Sequence, residues 1–386
     1  MGSLVTLRPP LQVIVVRHPT FDAGKALAQA VVHRFVRPGE QVQDTGLGIP
    51  AFVRSKAHPG HAPLPRPISD AATDATLVVV LVCEGLVLDA AWLAWLDDLA
   101  AKPHVHLHAF KFDDTLRFDS LHFLRGRQAV TITATADDEE QWQAATAYEL
   151  ARRVEAQALS LLTQRASPPS LFVSYHGDSG SEIAETLWHV VTSEYRDLSP
   201  YVAHLSVRPN QEWAAHIRDG LLDASAVLSV VTEAYTSRPW CREEIHTART
   251  PRLAADLDNC WHVTPIVAID ARAQDWARFM PELGGHRVLR WDPQRSREVI
   301  DRAVSDGLLA TFHARWAEQY ARADMTAAVI SWIPDVRTLL RLEPHLAARG
   351  ATSLLCPGLH VDAEERELIA RALPSIALCS FGGTVS

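Results

Sequence analysis

Cysteine is scarce in this sequence: five in 386 residues, an odd number, scattered without CxxC spacing. That excludes a disulfide-stapled miniprotein and makes a reducing cytoplasm the expected setting. Net positive charge is lacking as well. With 37 Lys+Arg against 46 Asp+Glu the formal charge is −9, which gives no electrostatic reason to expect a nucleic-acid backbone or an anionic membrane as partner. There is no long apolar run. The strongest, Leu77 to Cys83, stops at Glu84, far short of the ~20 residues a membrane span needs. The opening MGSLVTLRPP has no basic segment leading into an apolar one, so no export signal is expected. Charged residues at 22% and hydrophobic residues at 47% exclude a disordered or fibrous chain, and the length predicts two or three domains.

What is present is a recurrent pairing of a short Val/Ile/Leu run with a helical pattern, the mark of buried parallel strands covered by helices. The class is therefore α/β. Strands are expected at Leu11 to Val16, Leu77 to Val82, Val105 to Phe110 and Ala129 to Ile132, with helices at Gly24 to Phe35, Asp89 to Leu99 and Glu139 to Leu162. Pro38 to Pro67 is too rich in Pro and Gly for a regular element. The polar, Pro-containing stretch Gln164 to Ser170 marks a domain boundary.

Beyond it the alternation resumes, with strands at Leu171 to Tyr175, Val202 to Leu205, Ala226 to Thr232 and Val263 to Ile269 and helices between them. Arg297 to Arg322 reads as one long helix whose Val304, Leu308, Phe312, Trp316 and Tyr320 make an i, i+4 packing stripe. A small βαβαβ unit closes the chain. The expected domains are residues 1–163, 168–295 and 326–386, with 296–325 as the connecting helix.

The informative segment runs from Leu171-Phe-Val-Ser-Tyr-His-Gly-Asp-Ser-Gly-Ser181, through Ile217 to Tyr235, to Ser237-Arg-Pro-Trp-Cys-Arg-Glu-Glu-Ile245. These three motifs, in this order over about 120 residues, resemble the Toll/interleukin-1 receptor (TIR) domain family, and Trp240-Cys241 with Glu244 has its WCxxE spacing. The resemblance covers roughly residues 170 to 293. It implies a flavodoxin-like parallel sheet and, in the family's enzymatic branch, hydrolysis of NAD⁺ at the nicotinamide–ribose bond. NAD⁺ is then substrate, with no cofactor and no metal.

By the same resemblance Glu244 is the catalytic carboxylate. Tyr175, His176 and Asp178 follow the first strand and line the pocket, Val207 to Trp213 is the gating loop that also mediates self-association, and Trp240 stacks on a ring of the dinucleotide. The residue types suit the chemistry. Losing nicotinamide leaves positive charge on the ribose, and a carboxylate beside it stabilises that charge. At i+4, Trp240 and Glu244 share a helix face. Family members often carry basic residues after the first strand. His176-Gly177 stands there instead, which puts phosphate clamping at that point in doubt.

Blander readings coexist: Glu244 as a solvated helix residue, Trp240 as a core plug, Tyr175 as core. Cys241 reads as structural, because nothing near it in sequence supplies a positive field. The expected function is an NAD⁺ nucleosidase activated by self-association, an immune or stress effector with a small-molecule or protein trigger. A cyclase making a cyclic ADP-ribose signal and a noncatalytic adaptor working through TIR–TIR contacts are the alternatives.

The first domain echoes the second. Ile68 to Glu84 aligns without gaps on Ile217 to Glu233, with Ile68, Asp70, Asp74, Ala75, Val78, Val82 and Glu84 meeting identical residues. A one-residue slip then sets Trp92 on Trp240 and Leu96 on Glu244. The expectation is a TIR-like fold without the catalytic carboxylate, and an unrelated strand order would defeat it. His104, His106 and His108 alternate as strand neighbours do, but no partnering Cys or carboxylate is identifiable for a metal.

Overall fold

A computed structural model of the full chain describes residues 8–36, 47–57, 63–69, 72–112, 123, 129–132, 138–163, 169–195, 198–202, 213–249, 263–267, 289–323, 327–329, 339, 343–344, 346–348, 350–356 and 363–380. The chain divides into two compact units, Arg8–Ala158 and Leu159–Ser386.

The first unit runs β1 (Leu11–Arg17), α1 (Gly24–Phe35), β2 (Ala51–Arg54), β3 (Ala75–Val82), α2 (Glu84–Leu88), α3 (Ala90–Ala100), β4 (Val105–Lys111), β5 (Val130–Thr131) and α4 (Glu139–Thr163), the last continuing past the division. Its five strands are all parallel, in the order β2-β1-β3-β4-β5. Nearly every residue of β1 and β3 is buried, which is why both read as near-continuous apolar runs rather than alternating ones. Each such Val or Leu contributes about 1.5–3 kcal/mol by leaving water. Asp89 starts α3 by accepting hydrogen bonds from the backbone N–H groups of Ala91 and Trp92, at 3.0 and 3.2 Å.

One correction falls here: within the stretch expected to lack regular structure, Ala51–Arg54 forms the edge strand β2. Four residues bounded by Pro50 and Ser55 give too short a period to distinguish, and pairing with β1 supplies what local pattern does not.

The second unit runs β6 (Ser170–Tyr175), α5 (Gly177–Glu194), β7 (Ser199–Val202), α6 (Trp213–Asp223), β8 (Ala224–Val231), α7 (Glu233–Ser237), α8 (Pro239–Arg249), β9 (Val263–Val267), β10 (Leu289–Arg290) and α9 (Ser296–Ala323). The strands are again all parallel, in the order β7-β6-β8-β9-β10. Numbered within each unit, both sheets have the order 2-1-3-4-5, the flavodoxin-like arrangement. The two sheets share one strand order, so the unrelated order that would defeat two copies of one fold is not found.

The element boundaries refine the alignment. β3, α2 and α3 match β8, α7 and α8 in length and spacing with no gap. The one-residue slip is therefore corrected: Trp92 stands at Cys241, Leu96 at Ile245, and Trp95 at Glu244. Burial follows this register, since Trp92, Cys241, Leu96 and Ile245 are all buried. The slip arose from matching the two tryptophans, yet Trp92 faces inward and Trp240 outward. Upstream the copies diverge: Ile217 to Asp223 lies on α6, whereas the described part of Ile68 to Asp74 is not helical.

The long helix α9 packs on β8, and the described part of the expected stripe is largely buried, the Tyr320 side chain lying outside the described residues. Val304, Leu308 and Phe312 are buried, and Trp316 meets Phe312 edge to face at 5.2 Å. Its side of the sheet is approached closely at Gly307, where a Cβ would lie 2.8 Å from the Ser225 carbonyl oxygen. A third parallel sheet, β11 (Ala327–Val329), β12 (Ser353–Cys356) and β13 (Ala377–Ser380), carries α10 (Ala363–Ala372). The helix expected between β11 and β12 lies mostly outside the described residues. No helix among the described residues is long and apolar enough to cross a membrane.

Candidate active site

Ligands of open α/β sheets sit beyond the carboxyl ends of the strands, and in the second unit that edge gathers β6, β8 and the two helices that follow β8. β6 delivers Ser174 and Tyr175, then His176. Thr232 follows β8 directly and caps α7, its hydroxyl accepting from the Tyr235 N–H at 3.2 Å. The short helix turns the chain so that α8 brings Glu244 back over β6.

Glu244 is 8% exposed, which removes its reading as a solvated helix residue. Its carboxylate accepts a short hydrogen bond from the Ser174 hydroxyl and another from the Trp240 indole N–H. Burial pushes its pKa up to about 7, and these two hydrogen bonds pull the other way without overcoming it. Trp240 is 40% exposed. It is therefore not a core plug, and one edge of its ring binds the carboxylate while the rest meets solvent.

Behind Glu244 lie two more hydroxyls. Tyr235 is buried, with its oxygen 2.7 Å from Ser174 Oγ and 2.9 Å from Ser229 Oγ. Burial and the charge of Glu244 raise the Tyr235 pKa well above the usual phenol range. Cys241 is buried beside the Tyr175 carbonyl oxygen, 3.9 Å away, and its thiol is pushed up to about 12 by burial and by Glu244. A thiol held so firmly protonated fits the structural reading.

The remaining sequence candidates fall at the same edge. Tyr175 ends β6, half-buried. The segment after it is not a loop: α5 begins at Gly177, so Asp178 is an exposed residue of the first helical turn. His176 is held from both sides, its Nε2 accepting from Arg238 Nε at 2.9 Å and its Nδ1 lying 3.1 Å from Ser179 Oγ. That acceptor role places the imidazole proton on Nδ1. Ser179 Oγ in turn lies 2.6 Å from Thr232 Oγ1. Trp213 opens α6, and its side chain lies outside the described residues, as does the 207–212 segment.

Arg238 was absent from the sequence candidates. It supplies the basic group that the segment after the first strand lacks, arriving from the turn between α7 and α8. Ser174, Ser229 and Tyr235 were also missed as site residues, although a serine set among Val, Leu and Phe in each of two strands was a visible signal.

Residues 171–283 match the family model of the TIR domain. This segment is a TIR domain. No curated protein matches the chain. Among solved structures, a protein from Clostridium novyi NT described as a tagatose-6-phosphate ketose/aldose isomerase is similar at 9% identity, over 80% of this chain and 79% of that one, with a TM-score of 0.21. That likeness is too weak to bear on fold or function. The Glu244 site lies wholly within the TIR domain. The histidines expected to alternate do so: His106 and His108 lie half-buried on β4 with His104 just before it. No group of metal-ligating side chains occurs among the described residues.

Proposed function

We propose that the TIR domain is an NAD⁺ nucleosidase with Glu244 as its catalytic residue. The observation that carries this reading is a carboxylate withdrawn from water at the carboxyl edge of the sheet, hydrogen-bonded to a half-exposed indole one helical turn away. In the reaction the bond between ribose C1′ and the nicotinamide nitrogen breaks, its electron pair leaves with neutral nicotinamide, and the positive charge spreads over C1′ and the ring oxygen. Glu244 faces that charge from a poorly hydrated position, where a carboxylate interacts more strongly than in water. Water then adds at C1′ and gives up a proton, for which Glu244 is a suitable acceptor at a pKa of about 7.

Trp240 offers a ring face for stacking. Arg238, oriented by its hydrogen bond to His176 beside it, offers donors to the diphosphate, whose oxygens suit the planar fork of a guanidinium. TIR domains associate with one another, and the proposal includes self-association as the activating event, in an immune or stress response with a small-molecule or protein trigger. Where water is kept from the ribose, the same cation closes onto the adenine and a cyclic product results. A noncatalytic adaptor would have no use for an acidic group kept out of solvent at the expense of stability.

The test is direct. Purified protein is incubated with NAD⁺, with and without a crowding agent, beside Glu244→Gln, and nicotinamide is quantified by chromatography. Release by the parent and none by the variant supports the reading, whereas no release under any assembly condition favours the adaptor.

A further inference from the structure

Three hydroxyls lie buried behind Glu244, and counting protons gives them a direction. An ionised carboxylate only accepts, so Ser174 donates to Glu244. With its one proton committed, Ser174 accepts from the Tyr235 hydroxyl at 2.7 Å. Tyr235 accepts in turn from Ser229 Oγ at 2.9 Å. Ser174, Ser229 and Tyr235 are all buried, so solvent does not compete for these bonds. The two serines are register partners on adjacent parallel strands, which sets them side by side on one face of the sheet, and Tyr235 reaches both from α7.

The first unit is a control built into the same chain. At the positions of Ser174, Ser229, Tyr235 and Glu244 it has Val16, Val80, Leu86 and Trp95. Val16 and Val80 are register partners as the two serines are, and Val16, Val80 and Leu86 belong to one apolar cluster against which Trp95 packs. This strand–helix arrangement therefore closes without a hydroxyl or a carboxyl group at any of the four places. Burying hydroxyls and a carboxylate is costly compared with that apolar solution, and the polar set occurs as a whole or not at all.

We infer that Ser174, Tyr235 and Ser229 are positioning residues for Glu244, a directional run of hydroxyls that replaces water around its carboxylate and holds it in one orientation. The inference rests on the nucleosidase reading for its consequence in catalysis, while the run itself stands on geometry. Fixed dipoles of this kind need not reorganise as charge develops.

The titratable groups around Glu244 among the described residues are Cys241 on its own helix, Tyr235 on α7 and Tyr201 on β7. Each is raised by burial and by the charge of Glu244, so all three keep their protons near neutrality. The nearby formal charges are Arg238, which acts on Cys241, and Asp219, which acts on Tyr201.

The experiment compares Ser174→Ala, Tyr235→Phe and Ser229→Ala in the full chain. Expected are falls in kcat of about a hundredfold, tenfold and threefold in that order, with KM unchanged, because the loss weakens with distance from the carboxylate. Tyr235→Phe also strands the Ser229 hydroxyl. The double variant Tyr235→Phe/Ser229→Ala removes that orphan and should regain thermal stability without regaining rate; a rate that returns with stability would overturn the inference, as would parental kcat in Tyr235→Phe. A second readout needs no turnover: in protein labelled with carboxyl-¹³C glutamate, with Glu244 assigned through Glu244→Gln, the Glu244 midpoint should move upward in Tyr235→Phe, and an unmoved midpoint rejects the relay. If the parent releases no nicotinamide, the functional reading fails and this titration alone decides the relay.

Discussion

The Ser174 hydroxyl donates a hydrogen bond to the Glu244 carboxylate, joining the first strand of the TIR domain to the helix that follows its third. Ser174 is 1% exposed and Glu244 8%. At that depth removal from water outweighs two hydrogen bonds, and the carboxyl group titrates at about 7 instead of its ordinary 4.5.

The rate of nicotinamide release should follow that ionisation. Only the carboxylate stabilises a ribosyl cation, so kcat/KM, which reports the free protein, rises with pH through about 7 and levels off above it. A profile measured from pH 5 to 9 checks this. A rate flat across the range would remove Glu244 from the role given to it.

Stability should move the opposite way. Because the folded-state pKa of Glu244 lies above its unfolded value, the folded chain holds a proton between pH 4.5 and about 7 that the unfolded chain has lost. Stability therefore falls as pH rises through that window, by up to about 3 kcal/mol. Glu244→Gln has no such loss, so urea unfolding of the TIR domain should show the variant gaining on the parent by about that amount from pH 4.5 to 8. Parallel stability curves would contradict the burial of this group.

Arg238 is exposed and reaches His176 at 2.9 Å. Arg238→Ala should raise KM for NAD⁺ about tenfold and leave kcat within about twofold, since a diphosphate contact made equally in ground and transition states is uniform binding. Arg238→Lys should restore little, because a point charge does not reproduce the planar fork. Steady-state kinetics decide it, and a loss confined to kcat would place Arg238 at the reacting bond.

Gly307→Ala tests the packing of α9 on the sheet. The added methyl would lie 2.8 Å from the Ser225 carbonyl oxygen and 2.9 Å from Ala226 Cβ, and a backbone oxygen and a Cβ fixed directly to the strand leave little room to give way. A loss of about 1–3 kcal/mol is expected from overpacking, read as a lowered thermal midpoint. An unchanged midpoint would mean that the helix sits farther from β8.

Much of the architecture was legible in the residues. β3 and β8 are mostly apolar and buried almost end to end, a local property of strands covered on both faces, and the alternation with helices predicts a parallel sheet. The short helices α2 and α7 were not legible, for five residues make barely more than one turn and carry no period. The start of α5 at Gly177 was not legible either, because a polar first turn at the sheet edge resembles a loop in composition. The slip between the two copies came from trusting tryptophan as a landmark when burial, not ring type, marks an equivalent position.

Sequence alone determined the longer strand and helix segments and the i, i+4 pairing of Trp240 with Glu244, since these depend on neighbours close along the chain. Tertiary structure decided that Ser174 and Ser229 are partners, that Tyr235 and Glu244 meet Ser174, and that Arg238 stands over His176. Those contacts depend on the register between distant strands and on where α7 turns the chain. Depth of burial, which sets the proton affinity of Glu244, comes into being only once the sheet and its helices have closed around it.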